Sequence, residues 1–246
     1  MYIGTKIEIL EKVDSSNSFL KTNYSKYPDG SIIIAKIQTE GRGRFSRKWV
    51  SDIKGNLYCS ILLKDISWLK NPVHLPVFIS VILRRTIVSL VNDVPDSLGF
   101  KWPNDLLIDG AKLSGILIES GDGFFVLGIG VNIKKAPILS SGYKTSSLSE
   151  VFFKNEEIKT IDFINNFVYL YNNGVDAYVS SGFSHIKEEW ERYCIHINKK
   201  VDLNEGLDNN TRKETVLFKK LSDDGGAVVL SDSGKERVIY YGELSL

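Results

Sequence analysis

The chain has 246 residues with 31 basic and 30 acidic side chains, a net charge of +1, which argues against bulk electrostatic attachment to nucleic acid. With 43% apolar and 25% charged residues, the composition is that of a folded globular protein and excludes a disordered or fibrous one. The length allows one sizeable core, or one core with a small appendage. Met1 to Glu8 holds no apolar signal core. The most apolar run, Leu75 to Leu83, stops at Arg84-Arg85, too short to span a bilayer. Cys59 and Cys194 stand far apart with no Cys or His at ligand spacing, which fits reduced thiols better than a disulfide framework. A soluble cytoplasmic protein without membrane or nucleic-acid partners is expected.

In chain order, Ile7 to Val13 roughly alternates and reads as a strand. The N-cap cluster Asp14-Ser15-Ser16-Asn17 predicts a short helix from about Ser16 to Asn23, closed before Pro28-Asp29-Gly30. Ser31 to Gln38 and Asn56 to Leu63 read as buried strands. Apolar residues at helical spacing from Leu75 to Val91 predict a long buried helix. Phe100 to Pro103 leads into Leu106-Leu107-Ile108, and Asp109-Gly110 is a two-residue hairpin signal. A return strand, Leu113 to Glu119, a turn at Gly121-Asp122-Gly123 and a strand from Phe124 to Ile133 complete this set. Hairpin-joined strands with helices inserted elsewhere indicate an α+β fold rather than a doubly wound one. Lys134 to Ser147 reads as loop. Ile161 to Tyr178 marks an amphipathic helix capped by Thr160, and a second helix covers Ser184 to Tyr193. After Asn198, short strands at Lys200 to Leu203, Thr215 to Leu221, Ala227 to Leu230 and Val238 to Tyr241 suit a small β-barrel of about fifty residues. The boundary falls near Ile195 to Lys199.

Chemistry concentrates in a few stretches. Gly41-Arg42-Gly43-Arg44-Phe45-Ser46-Arg47-Lys48-Trp49 holds four cations and no carboxylate. Glycine lets backbone N–H groups approach a bound group, and guanidinium forks match phosphate or carboxylate oxygens. In Lys101-Trp102-Pro103-Asn104-Asp105, Pro103 biases Trp102 toward extended backbone, so Lys101 and Asp105 flank a rigid bend at a strand end. In Lys112-Leu113-Ser114-Gly115-Ile116-Leu117-Ile118-Glu119, a lysine precedes a glycine that exposes bare backbone. Gly128-Ile129-Gly130-Val131-Asn132 combines close-packing glycines with an amide suited to an adenine edge. Taken singly, each of these is as readily a solvated turn or an ordinary strand.

In order and spacing, these stretches together with Asp14-Ser15-Ser16-Asn17 and Gln38 resemble the biotin protein ligases, from about Val13 to Asn132. The resemblance resumes at Gly242 to Leu246, which looks like that family's closing strand. It implies a fold like the catalytic domain of class II aminoacyl-tRNA synthetases, with a mixed, mainly antiparallel sheet and flanking helices. It places a biotin- and ATP-binding unit over residues 1–195 and a small barrel like the Src-homology-3 domain over 196–246. The implied reaction has two steps. The biotin carboxylate attacks the α-phosphate of ATP to give biotinyl-5′-adenylate and pyrophosphate, and a lysine of a biotin carboxyl carrier protein then takes the biotin as an amide. Bringing an anion to a polyanion costs about 4 kcal/mol per unit-charge pair at 4 Å and an effective dielectric of about 20, so fixed cations are the main requirement.

By the same resemblance, Ser15, Ser16, Asn17, Gln38, Gly41, Arg42, Gly43, Arg44, Lys112 and Gly115 would surround biotin, with Gly115 leaving room for its bicyclic ring. Arg42, Arg44, Arg47, Trp49, Lys101, Asn104, Lys112 and Asn132 would hold ATP or the adenylate. Arg44, Lys101, Asp105 and Lys112 would be catalytic, with Asp105 serving the incoming lysine, which must shed a proton before it attacks. Mg²⁺ would come bound to the triphosphate, and no carboxylate run reads as a resident metal cage. The chain departs from the family where glycine is usual and Ser46 stands, and at Phe45. It also lacks the glycine expected between Thr215 and Leu221. With the catalytic region starting near residue 1, no helix-turn-helix and no repressor role are expected. Oligomeric state stays open, a homodimer included. The alternatives are a lipoate–protein ligase, a nucleic-acid-binding module that uses the arginine loop, and an inactive binder of biotin or adenylate.

Overall fold

The apolar runs of the N-terminal half pair into one seven-stranded sheet: β1 (Ile7–Leu10), β2 (Ile32–Ala35), β3 (Leu57–Leu63), β4 (Gly99–Lys101), β5 (Asp105–Ile108), β6 (Ala111–Ser120) and β7 (Phe125–Val131). Their order is β1-β2-β3-β7-β6-β5-β4, with only β1 and β2 parallel in this sheet. The structure is a computed structural model describing residues 2–139, 142–152, 158–205 and 212–245. Residue 246 of the expected closing strand and residues 140 and 141 of the expected loop lie outside the described residues.

Four helices of the N-terminal part and one short segment flank the sheet: α1 (Ser16–Asn23), α2 (His74–Leu90), α3 (Leu148–Val151), α4 (Thr160–Ser181) and α5 (Ser184–Arg192). β2 and β3 are buried along their whole length because both faces are covered. Ile32 and Ile34 enter the main core with α2 and α4, whereas Ile33 packs with Leu20 of α1. A strand covered on both sides reads as an unbroken apolar run, which is why these two were conspicuous. The Asp109-Gly110 turn between β5 and β6 has positive φ at both positions, 49° and 74°, as its sequence demands.

Helix α1 matches its expected span, with the Ser15 side chain accepting from Ser18 N at 3.5 Å. The cap expected at Thr160 is not found: Thr160 is already the first helical residue, and Lys159 caps without a side-chain bond. Burial of Phe163, Ile164, Phe167 and Tyr171 supports this helix start instead.

A second, antiparallel sheet follows in the order β11-β10-β9-β8-β12, formed by β8 (Lys199–Glu205), β9 (Arg212–Leu221), β10 (Ala227–Ser231), β11 (Glu236–Ile239) and β12 (Glu243–Ser245). β9 carries no glycine and pairs with β8 in continuous register; against β10 it holds one extra residue, Lys219, between the pairs Phe218–Val229 and Lys220–Val228. The two sheets are stapled by aromatic packing. Trp190 stacks on Phe100 at 5.7 Å and tilts against Phe218 at 6.3 Å. Between Phe100 and the second sheet, Phe100 N donates to Tyr193 O, and Ile195 N donates to Phe100 O.

His196, at this junction, is fully buried and neither ring nitrogen has a hydrogen-bond partner. Burial, reinforced by Lys101 and Lys199, holds its pKa down to about 4 from the usual 6.5. Between these values the unfolded chain binds a proton that the folded chain refuses, so stability present above pH 6.5 is lost as pH falls toward 4. The difference corresponds to about 3 kcal/mol. Urea unfolding at pH 7.5 and pH 5 should show about 2 kcal/mol of this loss, the part that falls above pH 5, and His196→Leu should flatten it.

Candidate active site

The arginine-rich stretch forms a short ribbon beside the sheet. Arg42 and Lys48 make an antiparallel bridge, Gly43 N donates to Arg47 O at 2.7 Å, and Trp49 N donates to Gly41 O at 2.8 Å. A 3-10 turn over Arg44–Ser46 forms the tip, with Phe45 and Ser46 in the left-handed region at φ 54° and 57°. The ribbon borders a cleft of about 1330 Å³. Its floor is the face of β6 and β7 opposite the main core, where Gly115 and Gly130 are directly paired.

Trp49 lies on that floor. A Cβ at Gly130 would overlap its indole, and one at Gly115 would come within 2.9 Å of the ring. The space above Gly115, expected to admit a bicyclic ligand ring, is therefore filled by this chain's own indole. A side chain at either of the two facing glycines would press on it. Gly128 likewise leaves room for the Asn17 side chain.

Of the residues singled out from sequence, Ser15, Ser16, Asn17, Gln38, Arg42, Gly43, Arg44, Arg47, Trp49, Lys101, Asn104, Asp105, Lys112, Gly115 and Asn132 all line the cleft. Gly41 does not. It is buried behind the ribbon, where a Cβ would strike Trp49 O and Ser51 Oγ.

At one end of the cleft the polar groups form a chain. Ser16 N and Ser16 Oγ donate to Gln38 Oε1 at 2.7 and 2.9 Å, and Gln38 Nε2 donates to Ser51 Oγ at 3.0 Å. Ser60 Oγ lies 2.7 Å from Ser16 Oγ and 2.5 Å from Asn17 Oδ1.

The cations converge from three elements, and most already rest on partners. Lys112 Nζ pairs with Asp105 Oδ1 at 2.7 Å and sits 5.2 Å over the Trp49 ring. Asp105 is thus engaged by a neighbouring cation rather than standing free for an incoming amine. Lys101, paired across the β4–β5 ladder with Asp105, donates to Tyr143 OH at 3.0 Å. Arg44 donates to Asn104 Oδ1 at 3.3 Å and Gly242 O at 3.2 Å. Burial disfavours its charged form, while Glu243 and Asp105 favour it. Arg47 is bonded to the Glu243 carboxylate. Arg42 donates to Ser18 Oγ at 2.9 Å and Glu119 at 3.3 Å.

Asn132 is buried, and its Nδ2 donates to Lys112 O and Ser146 O at 3.3 and 3.1 Å. Both amide protons are spent, so the two-point reading of an adenine edge is not available to it. Its Oδ1 has no partner, which leaves a buried acceptor beside the cleft.

Sequence reasoning missed the wall opposite the floor. Asp202, Asn204, Thr215 and Glu243 of the second sheet face the cleft, as does Tyr143. A strand's alternation tells which residues share a face but not what that face opposes, and only Glu243 sat within a quoted motif.

The chain belongs to the Biotin/lipoate A/B protein ligase family, whose profile matches residues 9–135. It is 26% identical over 252 residues to the bifunctional ligase/repressor BirA of Escherichia coli, covering 99% of this chain and 74% of that one. It is 33% identical over 141 residues to a biotin–[acetyl-CoA-carboxylase] ligase of Mycobacterium tuberculosis, covering 54% and 51%. Among solved structures, the Aquifex aeolicus biotin protein ligase in complex with biotin and ATP superposes with a TM-score of 0.81 at 26% identity, covering 98% of each chain. The α+β architecture is that of these ligases.

Two outcomes follow from the local geometry. Ser46→Gly should stabilise the fold by about 0.5–1 kcal/mol in urea titrations, because a left-handed serine costs more than the added freedom of glycine. Gly130→Ala should expel the indole, giving a red-shifted tryptophan emission that disappears in a Trp49→Phe background.

Proposed function

We propose that this chain activates biotin with ATP to biotinyl-5′-adenylate and transfers the biotin to a lysine of a biotin carboxyl carrier protein. The observation that carries this reading is that Arg42, Arg44, Lys101 and Lys112 share one cleft with the neutral polar side chains of Ser16, Asn17 and Gln38. The polar end suits the neutral ureido group, since hydroxyl and amide groups both donate and accept. The cationic end suits the carboxylate and the triphosphate.

The proposed work of the cations is electrostatic. Two anions must come within bonding distance, and charge builds on the α-phosphate oxygens as they do. Lys112 turns from Asp105 toward the shared oxygens of carboxylate and phosphate. Arg44, held by Asn104 and Gly242 O, is already oriented and loses little freedom on binding. Lys101 reaches the pyrophosphate side. The Trp49 indole walls the apolar tail, and Asn132 Oδ1 accepts from the adenine amino group.

In the second step the carrier lysine meets Asp105, which holds its ammonium and receives its proton once Lys112 is drawn to phosphate. Mg²⁺ enters as part of the MgATP substrate; among the described residues no three His, Cys, Asp or Glu side chains are grouped to hold it. We assign residues 1–195 to substrate binding and residues 196–246 to the opposing wall. No described helix is long and apolar enough to cross a membrane.

Biotin-dependent exchange of labelled pyrophosphate into ATP tests the reading. Exchange with biotin is expected; exchange with lipoate alone would move the chain to the lipoate branch of its family. Arg44→Ala and Lys112→Ala should each slow exchange at least about tenfold, the worth of a charge-assisted hydrogen bond. Unchanged rates in both would show that adenylation happens elsewhere.

A further inference from the structure

The group that takes biotin from the adenylate arrives charged, because a lysine amine with a pKa of about 10.4 is an ammonium ion at neutral pH. Among the described residues lining the cleft, cations outnumber carboxylates by seven to four. The triphosphate offsets that excess in the first step. Once pyrophosphate has left, the adenylate keeps a single negative charge, and the cleft that gathered two anions repels the amine.

Three of the four carboxylates are already held by cations: Asp105 by Lys112, Glu243 by Arg47 and Glu214 by Arg237. Asp202, on the second sheet, is the exception. Val201 and Leu203 on either side of it are buried, so the alternation of β8 turns Asp202 outward to the cleft. Its Oδ1 accepts from Thr215 Oγ1 at 2.7 Å, a neutral partner that holds the carboxylate without cancelling its charge. Ser245, opposite it on β12, is also neutral. Lys200, two residues away on the same face, is spent on Asp232 at 2.9 Å. Whereas Asp105 is 14% exposed and paired, Asp202 is exposed, and no cation among the described residues pairs with it.

We propose that Asp202 is the docking carboxylate for the acceptor: it takes the ammonium of the carrier's lysine from solvent and holds it at the cleft wall. This rests on the biotin reading above. From there the amine passes to Asp105 as Lys112 turns to phosphate. The amine gives one proton to Asp105, and its nitrogen bonds to the acyl carbon. The bond from that carbon to the phosphate oxygen breaks with its electron pair going to AMP, and the amide nitrogen sheds a second proton to water. Asp202 thereby gives the second sheet a task in the second step, and the preference it imposes is for a charged amine over an uncharged one.

The test separates the two steps. The full chain is charged with biotin and MgATP and freed of unbound nucleotide and pyrophosphate. Its bound biotinyl-adenylate is then discharged either by a purified biotin carboxyl carrier domain or by hydroxylamine, which is uncharged at pH 7.5. Asp202→Asn keeps an acceptor for Thr215. It should slow discharge by the carrier about threefold at low salt relative to discharge by hydroxylamine, the worth of an exposed ion pair. Asp202→Lys should slow it further, and the gap from the parent should narrow as salt is raised. An equal slowing of both discharges, or no slowing of either, overturns the docking role while leaving biotin ligation intact. So does a raised Mg²⁺ or ATP requirement for pyrophosphate exchange with carrier discharge unchanged, which would put Asp202 on the nucleotide. An unmodified chain that forms no adenylate from biotin overturns the functional reading and this assignment with it.

Discussion

Like charges gathered at one cleft repel one another, and a folded chain holds them there by giving them counter-charges or neutral acceptors. Here Lys112 leans on Asp105, Arg42 on Glu119 and Arg47 on Glu243, three carboxylates from β5, β6 and β12. Arg44 and Lys101 rest on neutral acceptors, a backbone carbonyl, an amide oxygen and a phenol. The arrangement makes binding an exchange: an incoming phosphate or carboxylate takes over contacts already made, so its net gain is the difference between two sets of partners and not the whole attraction.

The same pairs give the basic ribbon its place. Arg42 ties one side of it to α1 and β6, while Arg44 and Arg47 tie its tip to the segment entering β12 and to β12 itself. Helix α1 and the last strand, β12, therefore both bond to the ribbon. Beneath it, the indole of Trp49 closes the floor because two backbone positions on neighbouring strands lack side chains. Electrostatics positions the ribbon's edge, and packing positions its root.

Much of this was legible before any coordinates. β2 and β3 showed as unbroken apolar runs, the Asp109-Gly110 turn showed in its residue types, and the cationic residues and their polar neighbours came from motifs whose order carried the resemblance. What stayed hidden was relational. Gly115 reads as room for something, but no local pattern says that the occupant is Trp49, far away in sequence. Asp105 reads as a free carboxylate until Lys112 is seen beside it. Thr160 has the chemistry of a cap, yet the buried face beginning at Phe163 decides where α4 starts. The wall given by Asp202, Thr215 and Glu243 depends on how one sheet docks on another, which alternation along a strand does not encode.

The strand that presents Lys101 has, as its outer neighbour, the short segment joining α5 to the second sheet: Phe100 exchanges backbone bonds with Tyr193 and Ile195. That segment is both connector and last rung of the ladder. The apparent seam between the two halves of the chain is consequently no place for scissors. A fragment trimmed back to the end of α5 would forfeit the rung, bare the edge of β4 and leave the lysine at its tip on a frayed margin, so the halves are better treated as one piece when the gene is cut for expression.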